Sequence, residues 1–281
     1  MAITTLDAAL SGMQPTMPFA KATTPTLVAG RPHSLWYLAG GPGTGLVPSV
    51  STAGGVALNG GPNLSNNIAG QIPRVDPGSG NAYLGRLTGM ATQPGLLLLC
   101  DRLLHCGAVQ AGTTIVVTAT TVQSITTVAL PARDISGSTS GVGVVAALEV
   151  AANMGSASGT ATISYVNSAG TSGHSSVNID TVTGSPVLGA FHRFGLQAGD
   201  AGISSITSLT LSNTWTSGSL ALVLYRVLAA LELVGAYIPN AIDALTAGFP
   251  QLFNGTVPFL VFIPNTTTAS FVSGTYTETQ G

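Results

Sequence analysis

The chain has 281 residues, long enough for one or two full-sized domains, yet it carries only eight basic and ten acidic side chains, for a net charge of −2. Ordinary globular proteins are about 25% charged, against 6% here, with 45% hydrophobic residues and 36 glycines. No basic stripe is available to neutralise phosphates, which argues against direct nucleic-acid binding. So uncharged a surface suits either a membrane or a protein shell.

At the start, Met1 to Met13 lacks a basic segment and a long apolar core and contains Asp7, so no secretory signal is expected and the chain stays in the compartment that made it. Residues 5–13 predict one or two helical turns, with Thr4 or Thr5 as N-cap and Asp7 favourable in the first turn. From 14 to 82 the chain is punctuated by prolines (Pro15, Pro18, Pro25, Pro32, Pro42, Pro48, Pro62, Pro73, Pro77) and by Gly40-Gly41, Gly54-Gly55 and Gly60-Gly61. Only Ser34 to Ala39 looks strand-like. Residues 1–82 therefore read as a long irregular N-terminal arm. Disordered tails avoid aromatic clusters, so Leu35, Trp36, Tyr37 and Leu38 mark it as an ordered arm that crosses a neighbouring subunit.

From residue 83 the texture changes to short β-branched and apolar runs separated by Gly, Ser, Thr and Asn turns, the pattern of a sandwich or barrel. Strands are expected at 83–90, 95–104, 114–129, 142–150, 160–166, 174–179, 190–196, 205–212, 219–230, 257–263 and 270–278. In Thr160 to Val166, Ala161, Ile163 and Tyr165 share one face, as in a half-buried strand. Leu96–Leu99 and Leu220–Leu231 are nearly continuous apolar runs and require cover on both faces. A short helix is expected at 240–247. The fold class is all-β: a jelly-roll-like β-sandwich over 83–281, preceded by the arm and carrying one or two short helices.

The best membrane-span window, Leu220 to Ile238, is long enough, but Arg226 and Glu232 near its middle each cost roughly 2.5–3.5 kcal/mol on insertion scales. No membrane partner is expected. Cys100 and Cys106 are too few for a disulfide framework and are not spaced as a metal pair. The run Gly41-x-Gly43-x-Gly45 lacks the helix of a dinucleotide site and the Lys-Ser/Thr of a P-loop, and reads as a loop.

The densest reactive cluster is Cys100, Asp101, Arg102, His105 and Cys106. Strict alternation places Asp101 and His105 on one strand face, but nothing brings a cysteine to a histidine, so structural ion pairing is the reading. Asp134, Glu149, Asp180, Asp200 and Glu232 are scattered without the pairing that acid–base chemistry needs. His33, His174 and His192 are isolated. No catalytic residue, cofactor or metal site is therefore expected, and the chain is read as not an enzyme.

Cys100–His105, Pro131–Asp134, Ser164–Thr171, Leu196–Asp200, Leu224–Leu228 and the tail from Phe262-Ile263-Pro264 to Gly281 together resemble tailed-bacteriophage virion proteins, over roughly residues 30–281. The resemblance implies a capsid decoration, or cement, protein on the outside of the head, binding the major capsid protein as a homo-oligomer with a trimer favoured. Leu35, Trp36, Tyr37, Leu38, Arg102, Arg133, Asp134 and Arg226 are the candidate interface. A tail, neck or receptor-binding virion protein is the alternative, and a polysaccharide- or cell-wall-degrading enzyme a more distant one.

Overall fold

The computed structural model describes residues 3–46, 56–60, 63–107, 115, 117–178, 182–184, 186–248 and 250–281. Asp180, Pro48, Gly54-Gly55, Gly61, Pro62 and parts of the strands expected at 114–129 and 174–179 lie outside these residues. The chain is nearly all β, in the antiparallel sandwich architecture expected from its sequence. Its longer elements are α1 (Leu6–Ser11), β1 (Met17–Lys21), β2 (Ala82–Ala91), β3 (Gly95–Gly107), β4 (Val144–Ala152), β5 (Ala161–Asn167), β6 (Phe191–Gly195), β7 (Ile203–Leu211), β8 (Ser219–Leu233), α2 (Ala244–Ala247), β9 (Pro258–Pro264) and β10 (Val272–Gln280).

These elements form two compact units. The first comprises Met1–Leu46, Asn59–Asp101 and Val227–Gly281, and the second Val47–Leu58 and Arg102–Arg226.

In the first unit one sheet runs in the order 240–243, β2, β10, β1, 40–41. Leu84 and Leu87 of β2, brought to one face by the extra residue Gly85 between them, point into a core with Val272 and Tyr276 of β10 and Phe19 of β1. They meet Leu97 and Leu99 of β3, Leu231 and Leu233 of β8, and Leu260 and Phe262 of β9. Each such fully buried side chain contributes about 1.5–3 kcal/mol. The residues before β2 are mostly irregular, as expected, but they are not bare of structure. β1 pairs with β10 from Met17↔Tyr276 to Lys21↔Val272, and Leu27, Leu35 and Ile72 enter the same core. Trp36 lies edge-on to Phe259 with ring centroids 6.1 Å apart.

In the second unit β5 and β7 pair from Ala161↔Leu211 to Asn167↔Ile203, and β4 pairs with β8 and β6. Ala161, Ile163 and Tyr165 face Val144, Ala146, Leu148 and Val150 together with Leu220, Leu222 and Leu224 across a second core. The opposite face of these strands is buried too: Ala147, Glu149, Ala221, Val223 and Tyr225 have almost no exposed area. This is the double-sided burial that the apolar run of β8 required.

Three local expectations give way. Of the strand expected at 114–129, the described residues retain only Gln123–Ser124. Instead, Ile125 and Thr127 donate backbone hydrogen bonds to Thr207 and Ile206 beside the edge of β7, because a Thr-rich segment offers too few apolar positions to fill a second face. The helix expected at 240–247 starts late: Asn240–Asp243 pairs with β2 from Asn240↔Gly89 to Asp243↔Arg86, and helix covers only Ala244–Ala247. Ser34 to Ala39 keeps strand pairing only at His33–Ser34. The first helix is found at Leu6–Ser11, where the Thr5 side chain accepts from the Ala8 N–H.

Candidate functional site

A chain so poor in charge would ordinarily place its few ionisable groups in water. Here nine of the seventeen described charged residues are buried and only Asp7, Arg86, Glu232 and Asp243 are exposed. The candidate sites are therefore the internal networks these groups build.

The second unit holds a sealed network. Arg102 and Glu149 are both fully buried. Arg102 grips Glu149 with two N–H groups, Nη1 donating to Oε1 at 3.1 Å and Nη2 to Oε2 over a shorter distance. Arg102 Nη2 also lies 2.8 Å from His105 Nδ1. Strict alternation would send Arg102 and His105 to opposite faces. Leu103 and Leu104 both enter one core, so the alternation of β3 slips there and brings the two together. A guanidinium has no acceptor, so His105 Nδ1 accepts and the imidazole is neutral with its proton on Nε2. Burial, and then the charge of Arg102, hold its pKa well below the usual histidine range. Its Nε2–H has no hydrogen-bond partner.

Arg133 donates to Leu58 O at 2.8 Å and Arg102 O at 3.2 Å, fixing a loop to the strand. Asp134 next to it organises residues 136–142: it accepts from the backbone N–H of Ser136, Ser138, Gly141 and Val142 and from the hydroxyls of Ser138 and Ser140. Burial alone would raise its pKa, but these donors outweigh it and hold the carboxyl down to about 2. Asp200 is the centre of a smaller cluster, accepting from Tyr165 Oη at 2.5 Å and Asn167 Nδ2 at 2.7 Å, with His174 Nδ1 at 2.8 Å.

The first unit holds an open network. Glu278 on β10 is positioned at a register shift between Thr277 and Glu278, where Gly85 is the extra residue on β2. Such a bulge re-aims a side chain without breaking the sheet. Arg74 Nε–H donates to Glu278 Oε1 at 2.8 Å and Nη2 to Oε2 at 3.3 Å. Arg74 Nη1 donates to Asp76 and to Phe253 O at 3.2 Å, and Tyr276 Oη–H donates to Glu278. Burial opposes the guanidinium's charge, but Glu278, Tyr276 and Asp76 outweigh it and raise the Arg74 pKa. The network borders a cavity of about 240 Å³ lined chiefly by Pro15, Met17, Leu64, Pro73, Val75 and Glu278.

Lys21, the single lysine, is also in this unit and buried. Its Nζ donates to the carbonyls of Pro42 at 2.8 Å, Leu38 at 3.2 Å and Gly43 at 3.4 Å. The glycine run 41–45 thus presents carbonyl oxygens to a cation, the reverse of the N–H cradle of a phosphate loop. Gly40 sits at φ +123°, where a Cβ would fall 2.1 Å from Ala20 O, so only glycine brings this loop so close. Burial lowers the Lys21 pKa to about 8.

Of the eight residues expected at an interface, Leu35, Trp36, Tyr37, Arg102, Arg133, Asp134 and Arg226 are buried by their own chain and Leu38 is half-buried. Leu35, Trp36 and Tyr37 are thus covered within their own chain, whereas Leu38 keeps part of its surface. Asp101 accepts from Val257 N–H at 2.9 Å. Both cysteines are free and buried; burial pushes the Cys106 thiol up to about 11 and, joined by Asp101, the Cys100 thiol higher still. Neither is a thiolate at neutral pH. Sequence reasoning missed Arg74, Asp76 and Glu278 altogether, because 204 positions separate Arg74 from Glu278 and no motif links them. Among the described residues no group of three His, Cys, Asp or Glu is placed to hold a metal ion, and no helix is long and apolar enough to cross a membrane.

No protein-family model and no curated protein matches the chain. Among solved structures, it corresponds weakly to a chain in the structure of infectious bursal disease virus Gt strain, with 11% identity, 96% of this chain and 81% of that chain covered, and a TM-score of 0.19.

Proposed function

We propose that the chain is a structural subunit of a virion, a capsid decoration protein that binds the outside of a tailed-phage head and stabilises contacts between capsomers of the major capsid protein, acting as a homo-oligomer with a trimer favoured. One observation carries the reading: the charges are inside and the surface is left to Ser, Thr, Gly and Ala, with four described charged residues exposed. Covering a charged surface costs several kcal/mol per stranded ion, whereas hydroxyl and apolar surface is covered at far lower cost. Such a surface is suited to being buried by neighbours rather than to solvation. Leu6, Leu10, Leu46, Val122, Ile135, Val177, Val234 and Tyr237, each at least 60% exposed, supply apolar contacts of the kind obligate interfaces use.

The mechanism is adhesive. Buried area and backbone hydrogen bonds at repeated interfaces oppose the outward pressure on the shell, and the internal ion pairs keep each subunit rigid enough to hold that geometry. In this reading the chain has no catalytic role and no cofactor, and it resides on the capsid surface after synthesis in the host cytoplasm. Quantitative protein staining of purified particles tests it. Copies in the hundreds, as the symmetry of a shell demands, are expected; a dozen or fewer would move the protein to a tail or neck.

A further inference from the structure

The cavity beside Arg74 has a polar balance that selects its occupant. Its walls are aliphatic, formed by Pro15, Met17, Leu64, Pro73 and Val75, and Glu278 and Arg74 lie at its polar side. Arg74 has five N–H groups, and four are spent on Glu278, Asp76 and Phe253 O. The side-chain amides of Gln14 and Gln280, also in the lining, each donate one of their two N–H groups, to Gly12 O and Val75 O, so three N–H groups are left, one on Arg74 and one on each amide, against four lone pairs on the two amide oxygens and the carboxylate of Glu278. Acceptors therefore outnumber donors around the cavity. The charges agree: the guanidinium of Arg74 is bonded to two carboxylates, Glu278 in the lining and Asp76 outside it, a net of −1 for the group. An anion would meet the carboxylate of Glu278 in the lining, whereas an uncharged apolar group would leave the excess charge unanswered.

We propose that this pocket binds an aliphatic cation, specifically a lysine or arginine side chain of a partner protein, with its methylene stem against Pro15, Met17 and Val75 and its head on Glu278 and the two glutamine oxygens. Long cationic side chains bury their stems in this manner while keeping the head on polar groups. The chain's single lysine is buried on Pro42 O, so a lysine side chain for this pocket has to come from another protein. That this protein is the capsid shell rests on the assembly reading above.

The test uses methyl NMR of the full chain, titrated with Nα-acetyl-lysine-N-methylamide and with the norleucine analogue, which has a similar stem and no charge. Saturable shifts of the Met17, Leu64 and Val75 methyls in the millimolar range are expected for lysine, with norleucine at least about tenfold weaker. Val75→Trp, at a position 39% exposed, should fill the cavity and abolish the response while the rest of the spectrum stays unchanged. Equal binding of norleucine, or a lysine response that survives Val75→Trp in the other methyls, overturns the proposal. Co-sedimentation with particles separates the two levels. If wild type decorates particles and Val75→Trp does so equally, the assignment to a shell side chain fails and the assembly reading stands. If neither decorates while lysine still binds wild type, the assembly reading fails and the pocket remains.

Discussion

The two units each bury an arginine that grips a glutamate with two N–H groups, and they differ in what surrounds the pair. In the second unit Arg102 and Glu149 have no exposed side-chain area, and a neutral His105 completes the seal. In the first, Arg74 and Glu278 share their charge with Asp76 and Tyr276 beside a cavity of about 240 Å³. Desolvation makes a sealed pair a matter of shape: it specifies how strands meet, and it adds little stability over apolar residues of equal size. An open pair with a spare negative charge keeps its capacity to recognise something. The same pairing thus organises one unit and equips the other.

The largest expected effect breaks the sealed pair. Arg102→Met leaves Glu149 buried without its partner and should cost about 3–5 kcal/mol, read as a drop in the denaturation midpoint with loss of hydrogen-exchange protection centred on 102–226. Arg102→Met with Glu149→Met removes both charges and should recover most of that loss. If the double variant is as unstable as the single one, the pair contributes more than shape and the contrast between the units narrows.

Acid should act next, through histidines held neutral. Burial lowers the His33 pKa to about 4, against about 6.5 in the unfolded chain. The unfolded state binds the proton first, so stability is complete above about pH 6.5 and is lost as pH falls toward 4, by about 3 kcal/mol for this residue. His105 acts in the same direction in the second unit. Asp134, held down to about 2, retains its contribution until the pH falls below the ordinary aspartate range. Urea denaturation of wild type and His33→Phe between pH 7 and 4 checks this: the variant should lose distinctly less stability over that window, and parallel curves would refute the assignment.

How much of this was legible in the sequence follows from the range of the interactions. Strands β5 and β7 to β10 could be placed because alternation and apolar runs are local, and the N-cap could be narrowed to Thr4 or Thr5 because capping spans three residues. What covers Leu35 to Tyr37 within the chain was not legible, because an apolar cluster announces that it needs cover but not whose. Glycine and proline density hid β1, whose pairing with β10 joins the two ends of the chain. Arg102 and Asp134 were singled out as interface candidates, and their partners Glu149 and Ser138 emerged only from the fold. The Arg74 network had no local signal at all: a bulge at Gly85 aims Glu278, and only the folded sheet brings it to Arg74.

The smallest effect expected belongs to Lys21, and it has the same sign as that of the histidines but falls in an alkaline window. Its ammonium rests on three carbonyls with no carboxylate among its hydrogen-bond partners, so the fold tolerates the charge without neutralising it. Burial lowers the pKa to about 8, from an ordinary value of 10.5. Between these values the unfolded chain is protonated while the folded one is not, so stability rises with pH across that window. The gain should be about 2 kcal/mol after allowance for residual solvation. Lys21→Met cannot titrate, and subtracting its stability curve from that of wild type between pH 7.5 and 10.5 removes the contribution of tyrosines and thiols common to both. A difference that climbs with pH identifies a strained cation in the first unit. A flat difference would mean that the three carbonyls fully replace water, and would make Lys21 as settled in its surroundings as Arg102 is with Glu149.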